Sequence, residues 1–188
     1  IEVNTANGLE IRTVYQKGKA GKDGLFSQMF GSVSTNPQVN VDYAIRIPKT
    51  AALSQAKTVN GAVILRETGG STVAKTTNGT ISAENVSRIE SAETTNGNIS
   101  VSGSAVLNAR AVNGSISVKV TGVSPDAMNV STVNGSVSLV VSPVVNVEVE
   151  LKTVNGLVTA PEGILLNQGV VSPKRVSGRL GSGGRTIS

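Results

Sequence analysis

Asn-Gly recurs along this chain at a nearly fixed interval, and that recurrence restricts the fold more than any other feature. The dipeptide stands at Asn7-Gly8, Asn60-Gly61, Asn78-Gly79, Asn96-Gly97, Asn113-Gly114, Asn134-Gly135 and Asn155-Gly156. From the second copy onward the spacings are 18, 18, 17, 21 and 21 residues. Thr stands two places before the Asn at Thr5, Thr58, Thr76, Thr94, Thr132 and Thr153, and Ala111 is the exception. A period in this range marks a chain of stacked small units, none of which can bury an apolar face alone.

The apolar residues keep station on this mark. Two places before the Thr position lie Ala56, Ala74, Ala92, Ala109, Val130 and Leu151; five places after it lie Val63, Ile81, Ile99, Ile116, Val137 and Val158. Seven places after come Leu65, Ala83, Val101, Val118, Leu139 and Ala160. On each side of the mark the apolar spacing is two, the period of a strand. Across the mark it is odd, so a straight strand would send the two sets to opposite faces. The chain therefore has to bend at each mark, and Asn and Gly, the residues that most readily take positive φ, are expected to form the corner.

Two architectures use Asn-Gly between strands. Tight hairpins would give an antiparallel sandwich or barrel. Stacked coils would instead place each Thr and Asn over its counterpart, forming side-chain ladders. Six repeats of one turn in register favour the second, an all-β parallel β-helix, or β-solenoid, with coils of about 18–21 residues. Composition agrees: the only aromatics are Tyr15, Phe26, Phe30 and Tyr43, so the interior has to be filled by Val, Ile, Leu and Ala. If coils occupied the whole chain as one domain, residues 1–188, roughly eight or nine of them would stack to about 40 Å at the inter-strand spacing.

Two regions depart from the repeat. Residues 16–38 are rich in Gly, Ser and Lys and carry Phe26, Met29 and Phe30, which fits a capping or loop insertion. The strand-like stretch Val39–Ile47 follows and ends at Pro48. Residues 177–188 are rich in Gly and Arg and stop where a further strand would begin, which reads as a truncated C-terminal coil. Ile1 in place of an initiator Met fits a mature product or an excised segment.

The Thr-Val-Asn-Gly units at 58–61, 132–135 and 153–156, with Ile45-Arg-Ile-Pro-Lys49 before them and Leu180-Gly-Ser-Gly-Gly184 after, resemble a bacterial adhesin-like family built from β-strand repeats. The resemblance spans nearly the whole chain. It implies a right-handed parallel β-helix, exported or membrane-anchored on the extracytoplasmic side of a bacterial envelope. It brings no catalytic residues with it.

The residues themselves give little chemistry. There is no His and no Cys, and the Asp residues Asp23, Asp42 and Asp126 fall in unrelated contexts. Glu84, Glu90 and Glu93 share one repeat and are candidates for a carboxylate pair of the kind a polysaccharide-cleaving β-helix needs, although solvent-facing strand and turn positions are the expected reading. Gly181–Gly184 lacks the Asp of calcium-binding nonapeptides, and Gly18–Gly24 lacks the Gly-Lys-Ser/Thr ending of a phosphate loop. No metal or cofactor is expected. The formal charge is +5, with Lys17, Lys19 and Lys22 near the start and Lys174, Arg175, Arg179 and Arg185 near the end. These basic groups fit either solvated ends or an envelope polyanion or surface-protein partner. Nucleic acid is disfavoured, because no aromatics interleave with them. No apolar run approaches a membrane span. The expected function is a non-enzymatic envelope or surface module, adhesin-like or structural, with a self-assembling scaffold as the alternative reading and a polysaccharide-active enzyme as a weaker one.

Overall fold

The computed structural model describes residues 2–4, 10–12, 52–122, 126–142, 147–160 and 170–180. The expected insertion at 16–38 and the strand at 39–47 lie outside them. The chain divides into two units, Ile1–Ala44 and Ile45–Ser188. In the first, strands β1 (Glu2–Asn4) and β2 (Glu10–Arg12) pair antiparallel, with Glu2 opposite Arg12. The first Asn-Gly thus falls between antiparallel strands, unlike the six later copies.

The second unit is a β-solenoid without a helix among its described residues. Its strands are β3 (Gln55–Lys57), β4 (Val63–Arg66), β5 (Ser71–Lys75), β6 (Ile81–Asn96), β7 (Ile99–Val106), β8 (Asn108–Asn113), β9 (Ile116–Val120), β10 (Met128–Asn134), β11 (Val137–Val141), β12 (Val147–Asn155), β13 (Val158–Thr159), β14 (Val170–Ser172) and β15 (Arg175–Leu180). Strands after the mark stack in parallel as β4, β6, β7, β9, β11 and β13. Strands before the mark stack in parallel as β3, β5, β6, β8, β10 and β12. The two ladders are the walls of one aliphatic interior.

Fifteen of the eighteen apolar positions fixed by the mark are fully buried, and Ala56, Val158 and Ala160, in the terminal coils, pack partly buried against them. Each Val or Ile so buried contributes about 1.5–3 kcal/mol of transfer free energy, which is what drives coil to stack on coil. The alternation in β12 is as expected: Val147, Val149 and Leu151 face in, Glu148 and Glu150 are half-buried, and Lys152 is exposed.

A second corner has no Asn-Gly. Glu67 and Asn85 take left-handed φ of 52° and 53° in successive coils, and β6 bulges between Ala83 and Val86 as it turns. In the next coil Gly103 stands opposite Val86, where a Cβ would come within 2.6 Å of the Val86 carbonyl oxygen. The Asn-Gly periodicity gave no sign of this corner; the signal in the sequence was Asn85 itself, a residue type that tolerates this conformation.

Among the described residues the stack is shorter than the eight or nine coils expected. Six stacked marks bound five turns, about 24 Å of stacking at 4.8 Å per coil. After β13 the regime changes. β15 lies antiparallel on β12, Val147 opposite Leu180 and Lys152 opposite Arg175, and β14 pairs antiparallel with β15. Pro173 fixes the backbone of the intervening turn, and the Ser172 hydroxyl accepts the Arg175 N–H at 3.0 Å. The C-terminal segment therefore lays a reversed strand on β12, and the truncated coil expected at the very end falls largely on residues 181–188, outside the described ones.

Candidate functional site

The six predicted marks come together as one corner of the solenoid. Asn60, Asn78, Asn96, Asn113, Asn134 and Asn155 stand in register. Each Nδ2 donates to the Oδ1 of the Asn one coil earlier: Asn78 to Asn60 at 2.8 Å, Asn96 to Asn78 at 2.8 Å, Asn113 to Asn96 at 2.9 Å, Asn134 to Asn113 at 2.7 Å and Asn155 to Asn134 at 2.8 Å. The amides form one polar chain with a single direction. None of these asparagines has positive φ, so the expectation that Asn supplies the left-handed conformation is corrected: the Asn is extended, and its role is the ladder.

The glycines are required chiefly by contact. Gly61, Gly97, Gly114, Gly135 and Gly156 have φ between 135° and 159°. More decisively, the carbonyl of each corner Gly points at the next coil. A Cβ on Gly79 would lie 2.6 Å from the Gly61 carbonyl carbon and closer still to its oxygen, and Gly97, Gly114, Gly135 and Gly156 meet the Gly below in the same way. Those carbonyls lie off the inter-coil ladder, and the buried threonines satisfy them. Thr76, Thr94, Thr132 and Thr153 donate Oγ1–H to the carbonyls of Gly61, Gly79, Gly114 and Gly135 at 2.8–3.1 Å. Thr58 donates only to the Asn60 carbonyl, at 3.4 Å. Ala111 leaves the Gly97 carbonyl without a threonine.

The surface beside this corner is regular and uncharged. Between Thr and Asn, the outward column reads Val59, Thr77, Thr95, Val112, Val133 and Val154, all exposed and all β-branched. Beyond the Gly, Ser82, Ser100, Ser117, Ser138 and Thr159 stand in register, one per coil. These hydroxyls can exchange hydrogen bonds with a surface partner. As nucleophiles they would need an adjacent base, and the chain has no His.

The wall before the mark is charged and internally paired. Lys75 meets Glu93 at 2.9 Å; Arg88 meets Glu90 at 2.9 Å and Asp126 at 2.8 Å; Arg175 meets Glu150 at 2.8 Å. Hydrogen bonds from Ser71 and then Arg88 hold Glu90 below the ordinary glutamate range. Ser91 and then Lys75 do the same for Glu93. Glu84 faces Arg66 at 3.5 Å. The three glutamates that sequence singled out are thus each tied to a separate set of partners. Of the C-terminal basic cluster, Arg175 is ion-paired on the covering strand and Lys174 is exposed. Lys17, Lys19, Lys22, Asp23, Asp42 and Arg185 lie outside the described residues. No helix among the described residues is long and apolar enough to cross a membrane. Comparison of the chain with protein-family models, curated proteins and solved structures finds no match.

Proposed function

We propose that the solenoid is a non-catalytic scaffold of the bacterial envelope that presents its Val/Thr column and hydroxyl columns to a surface partner. The observation that carries the reading is how the polar groups are used. The corner amides and threonines are spent on holding coil to coil, and Glu90 and Glu93 are held as anions by Ser, Arg and Lys. A general acid needs a raised pKa, and Glu90 and Glu93 are shifted the opposite way. Among the described residues, the Val/Thr and hydroxyl columns offer outside contact a repetitive, uncharged surface suited to extended binding. The exported location rests on the resemblance of the Thr-Val-Asn-Gly units.

The test is fractionation combined with protease treatment of intact cells that express the natural gene. Recovery with the envelope, together with cleavage by external protease, supports the reading. A purely cytoplasmic protein, or turnover of an acidic glycan abolished by Glu90→Gln or Glu93→Gln, overturns it.

A further inference from the structure

Asn-Gly is the sequence most prone to spontaneous deamidation, because glycine places no side chain in the way of attack by its own backbone nitrogen. The reaction needs the Gly nitrogen, stripped of its proton, to reach the Asn Cγ. In this solenoid that nitrogen is occupied at five of the six stacked marks. The N–H groups of Gly61, Gly79, Gly97, Gly114 and Gly135 each donate at 2.9 Å to the carbonyl of the Asn one coil later. The Asn side chains are held as well, each of the four inner amides by hydrogen bonds on both sides.

Asn155–Gly156 is different, because no later coil carries a mark above it. The Thr153 N–H and the Val158 N–H find the carbonyls of Lys174 and Pro173 on the covering hairpin. Between them, among the described residues, the Gly156 N–H has no acceptor and the Asn155 Oδ1 has no donor. Among the described residues, the antiparallel hairpin completes the ladder on both sides of the last corner and supplies no partner at the corner itself.

We propose that Asn155 is a deamidation site, the one rung of the six at which the Gly nitrogen meets no acceptor among the described residues and the Asn amide is held from one side only, through its Nδ2 on Asn134. Solvent base removes the Gly156 amide proton, and the nitrogen attacks the Asn155 Cγ. The Cγ–Nδ2 bond breaks, and ammonia departs with the side-chain nitrogen. Water then opens the resulting succinimide, giving aspartate or β-linked isoaspartate at position 155. The net change is amide plus water to carboxylic acid plus ammonia, with no redox partner. The product loses the Nδ2 donor to Asn134, and isoaspartate also lengthens the main chain between β12 and β13. The last coil is therefore the one that ages.

The other end of the ladder supplies the internal control. Asn60 Nδ2 has no acceptor among the described residues, but its nucleophile is tied, since the Gly61 N–H is bonded to the Asn78 carbonyl. The experiment is incubation of the whole folded chain at mildly alkaline pH, followed by peptide mapping with isoaspartate-specific detection. A denatured sample provides the intrinsic rate at every mark. In the folded chain Asn155 should convert about tenfold or more faster than Asn60, Asn78, Asn96, Asn113 or Asn134, because reaction at those requires local opening of the stack. In denaturant the six should converge to within a few-fold. Conversion at Asn60 equal to that at Asn155, or an Asn155 as protected as the inner rungs, overturns the proposal.

Discussion

The carbonyl oxygen of Gly79 fills the place where a side chain on Gly97 would begin. The obstruction is backbone, so no rotamer change relieves it, and Gly97→Ala has to push two coils apart. Gly61 makes the comparison clean. It shares a positive φ, 135°, but the nearest atom to its would-be Cβ is the Thr58 Oγ1 at 3.8 Å. Gly61→Ala should cost only the backbone strain, about 1–2 kcal/mol. Gly97→Ala should cost that plus the clash, roughly 3 kcal/mol or more, or prevent folding. Urea denaturation of the two variants measures the gap. Equal losses would mean that φ alone, and not the approach of the neighbouring coil, selects glycine.

Ala111 is the gap in the threonine column, flanked in register by Thr94 and Thr132. A hydroxyl there would meet the Gly97 carbonyl as the other threonines meet theirs. Ala111→Thr is expected to stabilise by about 1 kcal/mol, the net worth of one intramolecular hydrogen bond. Thr94→Val, which keeps the shape and deletes the donor to the Gly79 carbonyl, should lose about 1–2 kcal/mol. Thermal melts of both variants check the pair, and a loss on Ala111→Thr would show that this rung is closed too tightly for the extra atoms.

These relationships mark how far the sequence could be read. The period-two spacing around Thr76 or Thr94 tells which residues face inward, and repetition tells that they stack; both follow from local geometry and hold in the structure. Strand direction is another matter. A strand such as β15 alternates in the same way whether it runs with β12 or against it, so its reversal on the last coil left no trace in the pattern. The count of eight or nine coils applied the period to the whole chain, whereas the marks that stack among the described residues number six, from Asn60 to Asn155. The glycine at the mark was read as a source of positive φ, whereas the tighter constraint is a carbonyl belonging to a residue 18 places away. Such a contact exists only once the coils have stacked.

Acid should loosen the charged wall. Glu93 is held below its ordinary range, first by the Ser91 hydroxyl and then by Lys75. A carboxylate whose folded pKa is depressed stabilises the fold above the unfolded value, about 4.3, and that contribution disappears as pH falls through the lower folded value. Glu93→Gln should therefore flatten the acid limb of a stability-against-pH profile and leave the alkaline limb alone. The pair is more than a third exposed, so screening limits the effect to a few tenths of a kcal/mol. An unchanged acid limb would place the acid sensitivity elsewhere, with the Ser71–Glu90–Arg88 cluster next to test.

In the column two places before the Thr position, residue size follows coil length. Ala74, Ala92 and Ala109 close coils of 17 or 18 residues, whereas Val130 and Leu151 close coils of 21. All five are fully buried. Exchange of sizes should then fail in both directions. Leu151→Ala leaves a cavity and is expected to cost about 2–5 kcal/mol. Ala92→Leu forces a side chain between walls already in contact and is expected to cost about 1–3 kcal/mol through strain. Chemical denaturation of each variant reads these losses. If Ala92→Leu proved neutral, the short coils would have room to spare, and the column would reflect composition rather than fit.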